Sequence, residues 1–358
     1  LSINSAEDYV LQEIFSQPEI WQRTLSMVKA ADGPPKKLRS LIGKCPVILA
    51  GCGSSFYLSQ ATSPLWNSFG GAPARAVSAS DLVMYPEGYW GGHGAGMLLA
   101  VSRSGKTVET CEAARYARHT LGWHTVAVTC YPDAPLREIC DEALVLADAA
   151  EVSRFTTRAL TATILSFQML LALHARDVEL QRELLQLPEK ASRLLARYSE
   201  KIRDFAQAGN FQDYVYLGQG PYFGLAEELM LKTKEMIRTS AEAYPSLEYA
   251  HGPRYAASSS TLIVVLLSEG GRKYQLELLP KLRDLGAKIA VVCERAVAEA
   301  TANADFLLEL ESGLSDCGRM LLVMPLLQLF AYHRAMAVGK SAWIKQMVYL
   351  PAKPTQIS

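Results

Sequence analysis

Glu228, Lys232 and Glu235 are spaced i, i+4, i+7, and a few turns later His251 stands in a turn-like His-Gly-Pro. In a helix that spacing sets the first three side chains on one face. Acid, amine and imidazole gathered in one short stretch are the makings of proton-transfer chemistry. Leu225, Leu229, Met230, Met236 and Ile237 supply apolar surface elsewhere around the same predicted helix, so it can dock while presenting its charges. On spacing alone the ordinary outcome is an amphipathic helix with a solvated Glu228–Lys232 pair. The alternative is a charged face turned into a site.

Two other stretches have the grammar of an anion cradle. The apolar run Val47–Ala50 leads into Gly51-Cys-Gly-Ser-Ser55 and then a probable helix. Backbone N–H groups at a helix start favour an anion, glycines let it approach, and Ser54 and Ser55 add donors. A strand-to-helix turn also uses Gly and Ser for geometry and capping alone. A second apolar run, Met97–Val101, leads into Ser102-Arg-Ser-Gly-Lys-Thr107. Neither turn is a Walker loop, and the dinucleotide pattern GxGxxG is missing, which disfavours nucleotides. Farther on, Glu151-Val-Ser-Arg-Phe-Thr-Thr-Arg158 opens a long apolar helix, predicted over 159–175. Thr156 or Thr157 is its expected cap, and Glu151 is equally readable as a surface charge.

The elements that must position these groups alternate strand with helix. Val47–Ala50, Met97–Val101, Thr125–Thr129 and a strand near Leu144–Leu146 imply a parallel sheet with ligands at the strand carboxyl ends. There Ser54, Ser55, Ser102, Ser104 and Thr107 converge. The second half repeats the pattern: Tyr214–Leu217 with Gly-Gln-Gly-Pro221, then Leu262–Leu267, then Lys288–Val292, each shifted by roughly 165 residues. The expected fold class is α/β, two tandem doubly wound, mainly parallel sheets flanked by helices. The expected domains are a helical leader over 1–40, a first domain over 41–193, and a second with its tail over 194–358. The hydroxyl-rich turns belong to the first copy alone, since the second carries Ser268-Glu-Gly-Gly-Arg272. A last long helix is expected over 319–338, before a tail holding Lys340, Lys345 and Lys353.

Composition narrows the partners. The 358 residues suffice for two cores. Lys+Arg and Asp+Glu number 36 each, so no global field draws nucleic acid or an anionic membrane. The seven cysteines form no CxxC pair and no Cys/His cluster, which speaks against zinc or a disulfide framework. No leader pattern and no apolar run of about 18 residues is present. A cytoplasmic protein without membrane or nucleic-acid partners is expected.

Taken in order, GCGSS at 51–55, SRSGKT at 102–107, E-x(5)-TR at 151–158, LKTKE at 231–235, and AEAY with HGP within 241–253 resemble the double sugar-isomerase (SIS) proteins. The pattern is similar to the isomerase half of glutamine–fructose-6-phosphate aminotransferase, to SIS-type glucosamine-6-phosphate deaminases and to fructosamine-6-phosphate deglycases. The resemblance covers roughly residues 40–345. It implies a phosphosugar held by the first half and catalytic groups from the second, with no metal, nicotinamide or other cofactor. By position it implies Ser54, Ser55, Ser102, Ser104 and Thr107 as phosphate ligands, with Cys52, Gly53, Arg103, Glu151 and Arg154 completing the sugar- and phosphate-binding set. It gives Glu235 the proton shuttle between sugar C1 and C2, Lys232 a site lysine, and Lys345 the tail lysine that engages the open-chain carbonyl. His251 becomes the ring-opening residue, reaching the neighbouring subunit's site in a homodimer.

Arg103 and Lys106 replace the aminotransferase's Gln and Glu, for which a more basic pocket mouth is expected. Arg158 stands for a lysine, and the Asn-Pro-Asp and Pro-Arg tail signature is absent. The chain shows no glutaminase segment, so the expectation is chemistry without glutamine hydrolysis. The leading expectation is an isomerase/deaminase acting on an amino-sugar phosphate of the glucosamine 6-phosphate or fructose 6-phosphate type. A fructosamine-6-phosphate deglycase and a non-catalytic phosphosugar sensor are the alternatives. The sensor has no use for Glu235 with His251.

Overall fold

The structure, a computed structural model, describes residues 8–90 and 94–348. Its strands are β1 (Val47–Gly51), β2 (Ala74–Ser78), β3 (Met97–Val101), β4 (His124–Thr129), β5 (Glu142–Val145), β6 (Asp213–Gly218), β7 (Ser240–Pro245), β8 (Thr261–Leu266), β9 (Lys288–Cys293) and β10 (Phe306–Glu309). They form two five-stranded sheets, ordered β2-β1-β3-β4-β5 and β7-β6-β8-β9-β10. All pairings within them are parallel. The expected tandem α/β architecture is therefore what the chain forms.

Parallel strands covered on both faces read as continuous apolar runs. Every residue of β1, β3 and β8 is buried. Alternate residues serve different cores. Leu49 and Leu99 join Tyr216 and Val264 in one cluster shared by both halves, whereas Ile48 and Leu98 face a separate outer cluster. Each such Val, Leu or Ile contributes roughly 1.5–3 kcal/mol by leaving water. The shared cluster joins the two sheets into one packed unit.

Edge strands β2 and β7 and the short β10 were not expected. They are only partly buried, so they lack the apolar run that marks the central strands. The helix Val178–Ala208 passes straight through the expected domain boundary at 193/194. The leader's helices Tyr9–Phe15 and Gln17–Lys29 pack into the body; Trp21 donates its indole N–H to Thr161 Oγ1 at 2.9 Å. The last long helix is split into a short 3-10 turn and Val323–Ala337. Asp316–Ala337 has the length and composition to cross a membrane, yet 83% of its apolar window is buried inside the protein. Its hydrophobicity serves the shared core.

The internal repeat extends to backbone detail. Gly53 (φ 55°, ψ −128°) and Gly220 (φ 57°, ψ −129°) precede the equivalent helices Ser54–Phe69 and Pro221–Met236 in the same left-handed conformation. These helices cross at Gly224, where an added Cβ would lie 2.3 Å from Ala61 N and 2.6 Å from Tyr57 O. Only glycine permits that approach. The crossing lays the helix of Glu228, Lys232 and Glu235 against the helix of Ser54.

Candidate functional site

In each sheet the chain leaves its first strand toward one edge and returns on the other side, creating a switch point between β1 and β3. Ligands bind at such points, outside the strand carboxyl ends. The two hydroxyl-rich loops flank this one. After β1, Cys52, Gly53, Ser54 and Ser55 form the turn and first helical residues, with Ser54 buried. Burial, with the charge of Glu109 adding, raises the Cys52 thiol, so it is a neutral group and no thiolate nucleophile. After β3, Ser102 Oγ lies 2.9 Å from Thr107 Oγ1 and accepts from Gly105 N at 3.1 Å, while Ser104 Oγ accepts from Lys106 N at 3.2 Å. Gly105 has φ 61°, and a Cβ there would sit 2.4 Å from the Ala134 Cβ. The loop is thus a fixed turn with its hydroxyls already arranged.

Arg103 does not widen this mouth with positive charge. Its guanidinium turns inward, donating to Glu151 Oε2 at 2.7 Å, to the Arg154 carbonyl at 2.9 Å and to the Phe155 carbonyl at 3.1 Å. Neither is Glu151 a surface charge. Fully buried, it accepts through Oε1 from Thr157 N at 2.6 Å and Thr157 Oγ1 at 2.8 Å. It thereby caps the helix Arg158–His174, the role expected of a threonine. Charge-assisted bonds of this kind are among the stronger ones in a protein. Arg154 has an exposed side chain, and its backbone N–H donates to Met347 O at 2.9 Å, where the tail pairs antiparallel through Ser153 and Val348.

A residue unmarked by the sequence motifs completes this clamp. Glu13 of the leader accepts from Val152 N at 2.6 Å and from Ser153 N at 3.1 Å, and also bonds the Ser153 hydroxyl. Burial and then the neighbouring Glu151 push its carboxyl up to about 7. Only its place on the buried face beside Ile14 could have signalled it.

Glu228 and Lys232 are completely buried, which overturns the solvated pair. Ser54 Oγ donates to Glu228 Oε1 at 3.1 Å, and Lys232 Nζ lies 3.3 Å from the same oxygen. Lys232 also bonds Glu235, whose side chain keeps 32% exposure. A hydroxyl of the first loop, a buried carboxylate, a buried ammonium and a half-exposed carboxylate thus form one chain of contacts. Burial, with the charge of Glu235 adding, pushes Glu228 up to about 7 despite Lys232 and Ser54. Burial works against the charge of Lys232, but the two carboxylates more than offset it and hold its pKa above the usual lysine value. The second oxygen of Glu228, Oε2, is buried without a partner among the described residues.

The tail returns to this cluster. In the helix Ser341–Gln346, Trp343 donates its indole N–H to Glu235 O at 2.7 Å, and the Arg238 guanidinium lies 4.6 Å from its ring. Lys345 is exposed on that helix, and Lys353 lies outside the described residues. His251 is exposed on the turn after β7 and shares no hydrogen bond or ion pair with Glu235 among the described residues. The structure therefore gathers Ser54, Glu228, Lys232 and Glu235, and among the described residues it bonds His251 to none of them. An apolar hollow of about 400 Å³ lined by Pro46, Ile48, Pro73, Trp90 and Trp123 holds none of these groups. It lies at the opposite, amino-terminal ends of the strands.

No family model matches the chain. It is 26% identical over 339 residues to the isomerizing glutamine–fructose-6-phosphate aminotransferase of Helicobacter pylori, covering 88% of this chain and 55% of that protein. The chain spans about half the length of the curated relatives it matches. Among solved structures it superposes on the C-terminal domain of glucosamine-fructose-6-phosphate aminotransferase from Francisella tularensis with a TM-score of 0.82 at 22% identity, covering 95% of this chain and 99% of that one. It superposes on a glucosamine-6-phosphate deaminase from Thermotoga maritima with a TM-score of 0.76 at 22% identity, over 92% and 93% of the two chains. With two parallel sheets in tandem and this likeness along most of its length, the chain has the tandem sugar-isomerase (SIS) fold.

Proposed function

We propose that the protein is an enzyme that isomerises an amino-sugar 6-phosphate and releases its amine, with glucosamine 6-phosphate as the substrate type. The reading is carried by one observation: Ser54 of the first loop reaches Glu235 through Glu228 and Lys232 within a single chain. A phosphate on Ser54, Ser55, Ser102, Ser104 and Thr107 would place the rest of a hexose beside Glu235. Partial exposure leaves that carboxylate accessible to a ligand, and its contact with Lys232 orients it.

In the open-chain sugar, Glu235 takes the C2 proton and returns it to C1, while the C1 carbonyl oxygen gains a proton and becomes a hydroxyl. The C2 amine is then an imine. Water adds at C2 and ammonia leaves, giving fructose 6-phosphate and ammonia from glucosamine 6-phosphate and one water. His251, exposed and not bonded to its own chain's cluster among the described residues, fits a ring-opening role in the site of a second copy. Lys345, on the helix anchored to Glu235 by Trp343, is the candidate to meet the carbonyl.

Ammonia release from glucosamine 6-phosphate tests this directly, and Glu235→Gln should lower kcat by about 10²–10⁴-fold, the usual worth of a positioned base. Release of an amino acid from a fructosamine 6-phosphate would make the protein a deglycase instead. Saturable binding of these sugars with no turnover would make it a receptor.

A further inference from the structure

The link between Ser54 and Glu228 has a consequence for the arrival of the phosphate, on the reading that the serine loops hold it. A serine hydroxyl has one proton to give. In the structure it goes to Glu228 Oε1. The oxygens of a bound phosphate dianion only accept, so phosphate and Glu228 compete for the same proton. Once the hydroxyl turns to the phosphate, Glu228 keeps the ammonium of Lys232, which it already shares with Glu235. Its Oε2 has no partner among the described residues. A fully buried carboxylate that loses a donor while a dianion settles nearby is driven toward its neutral form.

We infer that Glu228 is a charge-compensating positioning residue, which takes up a proton from solvent when a tetrahedral dianion claims the hydroxyl of Ser54. The groups facing it are Lys232 and Glu235 on its own helix, Ser54 and the Tyr57 phenol on the crossing helix, with Arg103 of the second loop acting on Lys232. Lys232 already lies 3.3 Å from Oε1 and is shared with Glu235, so withdrawal of Ser54 leaves Glu228 with one donor fewer. Glu228 is also poised for the change, since its carboxyl already sits at about 7. Glu227, raised to about 7 as well, bonds Gln60 and has no tie to Ser54, which makes it the natural control.

The experiment is calorimetric titration of the full chain with sodium sulfate at constant ionic strength, in buffers of different ionisation enthalpy near neutral pH. Sulfate is a tetrahedral dianion with no proton of its own to confuse the count. The wild type should take up about half a proton per sulfate at pH 7, and its affinity should weaken as pH rises above that. Glu228→Gln should bind sulfate with no uptake and a flat pH profile, Glu227→Gln should behave as wild type, and Ser54→Ala should show no uptake because the competition is gone. Equal uptake in Glu228→Gln, or none in the wild type, would overturn the inference. Absence of saturable sulfate binding would overturn it together with the phosphate assignment. Proton uptake without turnover of any amino-sugar phosphate would leave it standing and sink the enzymatic reading.

Discussion

Oγ of Ser54 lies 3.1 Å from Oε1 of Glu228, and this bond joins the serine loop after the first sheet's β1 to the helix that carries the second half's charged groups. The two residues come from equivalent helices of a duplicated fold, brought together by the crossing at Gly224. One copy supplies hydroxyls and the other supplies carboxylates and an amine. Placing Lys232 and Glu228 out of water is costly, several kcal/mol per ion, and is repaid only while each has its partner.

Lys232→Met should therefore destabilise the protein by about 3–5 kcal/mol above neutral pH, because it strands a buried Glu228. The loss should shrink near pH 6, where that carboxyl takes a proton. The double variant with Glu228→Gln should recover much of it. Urea unfolding of the single and double variants at both pH values checks the sign and the coupling.

Gly224→Ala should force the crossing helices apart, since the added Cβ meets backbone atoms, which cannot rotate away as side chains do. A stability loss of about 1–3 kcal/mol is expected. Sulfate or sugar-phosphate binding at the serine loops should weaken less than turnover, because the displaced helix carries Glu235. Unchanged melting and kinetics would mean the contact between the helices yields to an added methyl group.

The central strands and both serine loops were legible because parallel strands must be apolar throughout and because glycine and serine have few other reasons to follow them. The same logic found the repeat. The edge strands β2 and β7 escaped because partial exposure mixes their residue types. The burial of Glu228 and Lys232 was not legible from an i, i+4 spacing, since it depends on a helix from the other half of the chain. Arg103 looked like a charge for the ligand, yet its partner is Glu151, almost fifty residues away along the chain. Glu13 carried no motif at all; its role comes from the loop it holds.

Stability should also depend on pH through Glu13. Its carboxyl is raised from 4.5 to about 7 on folding, so the folded state binds its proton more tightly. That contribution is fully present below the unfolded value and is lost as pH rises through about 7. Glu13→Gln should flatten the decline in unfolding free energy between about pH 5 and pH 7.5. Denaturation series at these two pH values compare the slopes, and an equal slope in the variant would place the titration elsewhere.

The central claim is that Glu235 moves a proton between two carbons of a sugar phosphate held by the serine loops. Its most direct measurement is deuterium incorporation at C1 and C2 of glucosamine 6-phosphate or fructose 6-phosphate incubated with the protein in D2O, followed by NMR. The wild type should exchange the carbon-bound proton, and Glu235→Gln should slow that exchange by about 10²-fold or more with sugar-phosphate binding retained. Exchange at an undiminished rate in Glu235→Gln, or no exchange with any of these sugars in the wild type, would contradict it.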